Sequence, residues 1–178
     1  MAVQTAFLRG QKGETWEGGM RVPTIFYWTN HIAAGKVSLA LGSQLDFLAT
    51  FAELAGAPIP NKTLDSYSLV PVLLGQAAVS SRDSVFYYRD ATLMAARYGN
   101  YKAHYFTRSG WGLDKPEKQD PPLLYHLGHD PSEQYQLNVT EYSSVLEQIN
   151  SVVEAHNKTI GSLPPSQLDM YDYDCKTV

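Results

Sequence analysis

Three short runs constrain this chain more than any other feature: SVFYYR (84–89), TLMAARY (92–98) and YKAHYFT (101–107). The first and third are rich in the β-branched and aromatic residues that suit a half-buried pleated surface, and the second is a strand-like apolar run between Thr92 and Tyr98. Only Asp90-Ala91 and Gly99-Asn100 separate them. Connections that tight leave no room for a crossover, so neighbouring strands must run antiparallel. The runs therefore predict a meander. The polar, Gly/Pro-rich segment RSGWGLDKPEKQDPP (108–122) reads as a loop, and LLYHL (123–127) as the fourth strand. Further on, Tyr142, Val145, Leu146, Ile149, Val152, Val153 and His156 fall on one stripe at helical spacing. That helix is predicted across one face of the sheet, with Thr140 as N-cap, Glu141 in its first turn and His156 at the core edge.

The region before this meander has a different texture. VPTIFYW (22–28) is a continuous apolar run and reads as a buried strand entered through Pro23. Ser43 with Asp46 three residues on resembles a capping box. Leu45, Leu48, Phe51, Ala52 and Ala55 then repeat at helical spacing, and Gly56 supplies a stop. This predicts a helix over 44–55. Residues 57–75 carry turn chemistry with one helical turn near Leu69–Leu74. One strand and one helix cannot close a sheet. The expected division is 1–78 as the edge of a larger domain, 79–161 as a small domain, and 162–178 as a tail. The larger domain's other strands are expected to lie outside this sequence.

Composition excludes some classes. The net charge is −4 with no basic run, which argues against nucleic acid. No apolar stretch is long enough to span a bilayer. MAVQTAFLRG lacks the basic and apolar regions of a signal peptide. Yet three sequons, at Asn61, Asn138 and Asn157, each completed by Thr, favour a secretory route. A secretory chain without a leader is read as incomplete. Cys175 is the single cysteine and cannot form an internal disulfide; it reads as a free or intermolecular thiol.

QKGETWEGGMRVP (11–23) carries more chemistry than a turn needs. Lys12 beside Gly13 fits a point charge on a backbone that can approach an anion closely; it also fits a solvated loop lysine. Glu17 and Arg21 flank Gly18-Gly19, where they could pair across the turn, and read as structural, holding the lysine loop on the strand that follows. On the third strand, alternation puts His104 on one face with Lys102 and Phe106, where a packed histidine is the alternative to a functional one. Trp111, flanked by glycines, suits stacking on a sugar or covering a core edge. His126 and His129 have ligand spacing but no third partner nearby, so they are not assigned a metal.

KGETWEGGMRVP resembles a segment of the sulfatase family, in the alkaline-phosphatase-like superfamily. The resemblance continues in order through LGSQLDFLATFAELAGAPIP, LDSYSLVPVLLG, VFYYRDATLMAARYGNYKAHYFT and PPLLYHLGHDPSEQYQL. It covers roughly residues 7–155 and is similar to the C-terminal part of the arylsulfatase A and N-acetylgalactosamine-6-sulfatase group. The fold this implies is an α/β, alkaline-phosphatase-like edge. A small α+β domain with a four-stranded antiparallel sheet and a C-terminal helix follows it. The activity it implies is sulfuric ester hydrolysis on sulfated sugars or glycolipids. In that chemistry a formylglycine attacks the sulfate, a calcium ion held by Asp and Asn supports it, and fixed cations neutralise the oxygens. Lys12 matches the lysine that touches the sulfate, and His104 a histidine near the substrate. The resemblance further implies lysosomal or secreted placement and dimers. The Cys-x-Pro-x-Arg motif and the calcium-binding Asp-Asn pair are absent from this sequence, and Gly10 stands where the family has a cysteine. The chain is thus expected to be inactive alone. A non-catalytic module that binds a sulfated glycan or a partner protein is the alternative.

Overall fold

The computed structural model describes residues 7–110 and 114–161. Strands β1 (Ser84–Arg89), β2 (Thr92–Tyr98) and β3 (Tyr101–Thr107) form where the runs predict them. With β4 (Glu117–His126) they make one antiparallel sheet in the order β1-β2-β3-β4. Asp90 (φ 54°) and Gly99 (φ 57°) supply the left-handed residues that the tight connections require.

β4 begins at Glu117, well before the predicted 123. Its prolines made that stretch read as a loop. The ladder pairs Phe106 with Lys118 but His104 with Leu123, so Pro121 and Pro122 fall in an irregularity where no regular hydrogen bond is asked of them. β4 is also an edge strand, the one kind that tolerates proline.

Helix α4 (Ser143–Gly161) lies on one face of this sheet, as predicted. Its core is Ala96, Ala103, Leu124 and Ile149, and the two alanines let the helix approach the strands closely. Ile149 is fully buried, which contributes about 1.5–3 kcal/mol. Val145, Leu146 and Val153 pack beside it. His156 is a core-edge residue: it stacks flat on Phe86 at 3.7 Å, and its Nε2 lies 3.0 Å from the Tyr88 hydroxyl. The helix starts later than Thr140, because Asn138 builds a turn there first. Asn138 Oδ1 accepts from the Thr140 amide, Nδ2 donates to Glu141, and the Asn138 carbonyl accepts from the Tyr142 amide. Glu141 therefore precedes the helix.

Upstream, the structure has α1 (Glu17–Met20), a 3₁₀ turn (Gln44–Asp46) running into α2 (Phe47–Ala55), and α3 (Val70–Leu73). The Ser43/Asp46 capping box is present, and Gly56 (φ 62°) ends α2. Asp46 does more than cap. It accepts from the Ser43 and Tyr67 amides and takes a two-pronged contact from Arg82, with Nε at 2.9 Å and Nη2 at 2.6 Å. Burial alone would push its carboxyl up, but these bonds hold it below the usual range. This pair ties α2 to the segment that enters β1.

One expectation fails here, and the predicted helix leaves its apolar stripe uncovered, for one reason. VPTIFYW forms no strand, and Ile25 and Tyr27 are 93% and 86% exposed. In α2 the buried side carries Ala49 and Thr50, while Leu48 and Phe51 of the apolar stripe, with Leu45 of the 3₁₀ turn before it, point outward. A strand needs a ladder partner and an apolar stripe needs a facing layer. Among the described residues neither stands next to these segments.

Candidate functional site

The loop carrying Lys12 crosses itself. The Gly18 amide donates to the Arg9 carbonyl at 2.7 Å, and the Glu14 amide to Gln11 at 3.0 Å. A Cβ on Gly18 would strike the carbonyls of Leu8, Arg9 and Gly10; one on Gly19 would strike those of Gln11 and Glu14. The Gly-Gly pair is where the two passes of chain touch. Lys12 sits exposed on the turn outside this crossing. Glu14 closes the turn: its Oε2 accepts from the Gln11 amide (3.2 Å) and its Oε1 from the Gly110 amide (2.7 Å). Arg89 Nη1, from the end of β1, donates to the Gly13 carbonyl at 2.7 Å.

Beneath the loop lies the sheet face opposite α4. Lys102 and His104 alternate with Ala103 along β3, so both point to this face while Ala103 meets the helix. Phe106 does not join them. The register shifts after His104, and Phe106 lines a shallow pocket at the sheet edge with Tyr105 and Val153.

Lys102 and His104 are fully buried and belong to a compact ionic cluster. Lys102 Nζ lies 2.9 Å from Glu17 Oε1 and 3.2 Å from Glu133 Oε1. His104 Nε2 is 2.7 Å from the same Glu133 oxygen. The other Glu133 oxygen accepts from the Glu17 backbone amide at 2.6 Å. Glu133 holds a left-handed backbone (φ 53°), which costs a non-glycine residue about 1–3 kcal/mol. The cluster therefore draws one residue from the lysine loop, two from β3 and one from the segment after β4.

Burial lowers the His104 pKa, against the pull of Glu133, so the imidazole is neutral. Its Nε2–H donates to Glu133, and its Nδ1 has no hydrogen-bond partner among the described residues. Burial pushes the Glu133 carboxyl up, but the His104 hydrogen bond and the Lys102 charge outweigh it and hold it low. The Tyr87 hydroxyl, 3.4 Å from Glu17, is driven far above its usual value by burial.

Trp16 roofs the cluster. Its ring lies 4.1 Å from that of His104 and meets Tyr125 edge-on. Arg9 stacks over Trp16 at 3.6 Å and donates to the Glu133 carbonyl and the Tyr125 hydroxyl.

The pairing of Glu17 with Arg21 across the turn does not form. Glu17 is buried against Lys102, and Arg21 is exposed. A lysine already buried under the loop is the partner available without water. Lys12 and His104 come to the same loop, but on opposite sides of it: Lys12 faces solvent and His104 lies under Trp16. Asn61, Asn138 and Asn157 are all exposed. Trp111 and the 162–178 segment with Cys175 lie outside the described residues. Glu133 was missed because it sits in an irregular stretch; the signal that points toward it is two ionisable residues on alternate positions of a strand. Among the described residues, no three His, Cys, Asp or Glu side chains gather to hold a metal ion, so no step is assigned to calcium here. No helix among them is long and apolar enough to cross a membrane.

A profile described as the C-terminal region of aryl-sulfatase matches residues 80–177, and the sulfatase profile matches residues 2–57. The chain belongs to the sulfatase family. It is 40% identical over 189 residues to the N-acetylgalactosamine-6-sulfatase of Canis lupus familiaris, covering 93% of this chain and 35% of that one. It is 43% identical over 149 residues to arylsulfatase A of Homo sapiens, covering 75% and 29%. The chain thus spans about a third of the length of these relatives. Among solved structures it resembles the PsFucS1 sulfatase from Pseudoalteromonas sp., with TM-score 0.78 and 28% identity over 89% of this chain and 34% of that one.

Proposed function

We propose that this chain is the C-terminal portion of a sulfuric ester hydrolase of the arylsulfatase and N-acetylgalactosamine-6-sulfatase type. Its substrate class is sulfate esters of sugars or glycolipids, and Lys12 is the cation that contacts the sulfate. In this reading residues 1–78 are the edge of the catalytic domain and 79–161 the small C-terminal domain. One observation carries it: the lysine loop is built as a fixed platform, seated through Trp16 on His104 and pinned through Glu17 to a buried ionic cluster, yet it presents Lys12 to the outside. A loop that only turned the chain would not need such anchoring. A sulfate ester spreads negative charge over its oxygens as it reacts, and a cation held in place before the reaction stabilises that charge best. His104 enters as support beneath Trp16 and not as a direct substrate contact, because its ring is fully covered.

The formylglycine and the calcium ion belong to sequence that this chain does not carry, so the chain alone is inactive in this reading. Catalytic groups act as a unit, and a lysine without its nucleophile forfeits nearly all the rate. The exposed sequon asparagines support a lysosomal or secreted setting. The outward apolar faces of 22–28 and α2 disfavour a free-standing glycan-binding module, because they need a covering layer.

The test is a chimera that joins the preceding part of the Canis lupus familiaris enzyme to this chain. Release of sulfate from N-acetylgalactosamine 6-sulfate by the chimera, and none by the 178-residue chain, is the expected outcome. A correctly folded chimera that hydrolyses no sulfate ester of any sugar or glycolipid refutes the reading.

A further inference from the structure

Lys12 lies on the Gln11–Glu14 turn, which the ionic cluster does not reach. Glu17 is anchored below, but between it and Lys12 stand Gly13, whose φ is 94°, and three further residues. A glycine beside the lysine gives the turn more freedom than any other residue would. Something must hold the turn itself.

We propose that Arg89 is the positioning residue for Lys12, rigidly presenting its ammonium to the sulfate. This rests on the reading of Lys12 given above. Arg89 ends β1 and pairs with Thr92 across the hairpin, so its backbone belongs to the sheet. Its side chain is half-buried, and Nη1 donates to the carbonyl of Gly13, the residue after Lys12, at 2.7 Å. This is a charge-assisted bond, the stronger kind, and it fixes the Gly13–Glu14 peptide, one peptide beyond the one that Lys12 shares with Gly13. Glu14 holds the same turn from the other side through the Gly110 amide. The two bonds reach the turn from different connections of one sheet, β1–β2 and β3–β4, so the small domain sets where the cation stands. Near-ångström placement of such a group governs rate more than binding.

The experiment has two arms. In the 178-residue chain, amide exchange is followed at Gln11 and Glu14 for wild type, Arg89→Ala and Arg89→Lys, with the β2 and β3 amides as the folding control. Arg89→Ala speeds exchange at those two amides about tenfold and leaves the strands unchanged. Arg89→Lys, which keeps a charged donor, restores much of the protection. In the chimera, Arg89→Ala lowers kcat about tenfold with KM within about twofold, and Arg89→Lys recovers part of the rate. Unchanged exchange in Arg89→Ala overturns the proposal. So does a loosened turn with unchanged kcat in a chimera that Lys12→Ala inactivates. If Arg89→Ala melts the strands, Arg89→Met, which keeps an apolar stem and drops the donor, carries the test, and wild-type exchange and kcat in it overturn the proposal. Should Lys12→Ala itself leave kcat unchanged, the reading of Lys12 fails, while the exchange arm still decides whether Arg89 holds the turn.

Discussion

Replacing Lys102 with methionine removes one charge from the cluster under the lysine loop and changes its volume little. Lys102 is wholly buried and lies within 3.2 Å of both Glu17 and Glu133. Without it, two carboxylates face each other in a site closed to water, with a neutral imidazole as their only close neighbour on β3. Breaking a buried pair from one side costs about 3–5 kcal/mol. Against a total stability of about 5–15 kcal/mol, that is a large share. It should lower Tm by about 6–20 °C for a chain of this size. The sign of the pH dependence follows from Glu133. In the wild type its carboxyl is held below 4.5, so its contribution is complete above that pH and is lost as the pH falls further. In Lys102→Met the Lys102 charge no longer lowers it, so the carboxyl titrates higher than in the wild type, with the His104 hydrogen bond and the Glu17 amide still holding it down. The folded variant then takes up its proton at a higher pH than the folded wild type, so the difference between them shrinks on acidification. The deficit should be full near pH 8 and should narrow as the pH falls through the acidic range in which Glu133 takes up its proton. Urea denaturation followed by circular dichroism at several pH values measures both effects. A deficit under about 1 kcal/mol, or one that pH does not change, would refute the claim that Lys102 compensates two buried carboxylates.

Three further outcomes follow from the same geometry. His104 stays neutral when folded but takes a proton near 6.5 when unfolded, so the chain loses stability as pH falls below 6.5; His104→Gln should remove up to about 1.4 kcal/mol per pH unit of that slope, seen in the same titration. Asp46→Asn breaks the Arg82 fork and leaves a buried guanidinium poorly paired, at a cost of about 3–5 kcal/mol; a loss under about 1 kcal/mol by chemical denaturation contradicts that account. Residues 79–161 alone should melt cooperatively but below the full chain, because the Trp16 roof and the Glu17 partner are gone. A peptide of residues 7–21 should raise that Tm, and no shift at saturating peptide would mean that the loop does not complete the sheet face.

Much of the small domain was legible because its signals are local. Strand-like runs, two-residue connections and one apolar stripe marked β1 to β3 and α4 without distant information. The Ser43/Asp46 box and Gly56 did the same for the 3₁₀ turn and α2. The start of β4 was not legible, because Pro121 and Pro122 are loop signals until an edge position and a register shift make them tolerable. VPTIFYW misled for the opposite reason: its residues favour a strand, but a strand is a property of two segments, and its partner is not among the described residues. In the site, Lys12 stood out through its glycine neighbour, and alternation placed Lys102 with His104. Glu133 and Arg89 stayed hidden. Each acts on the loop across more than 70 positions of sequence, and nothing local marks a residue that serves a distant turn.

The most direct measurement of the central claim is the steady-state rate of sulfate release by the chimera and its Lys12→Ala variant, taken with their melting temperatures. Lys12 is exposed, so its removal should leave Tm within about 1–2 °C of the parent, as for surface changes generally. If Lys12 contacts the reacting sulfate, kcat should fall by about a hundredfold or more, the scale for losing one charge-stabilising group. A variant that melts like its parent and turns over like its parent would mean that the platform holds Lys12 for some purpose other than the sulfate.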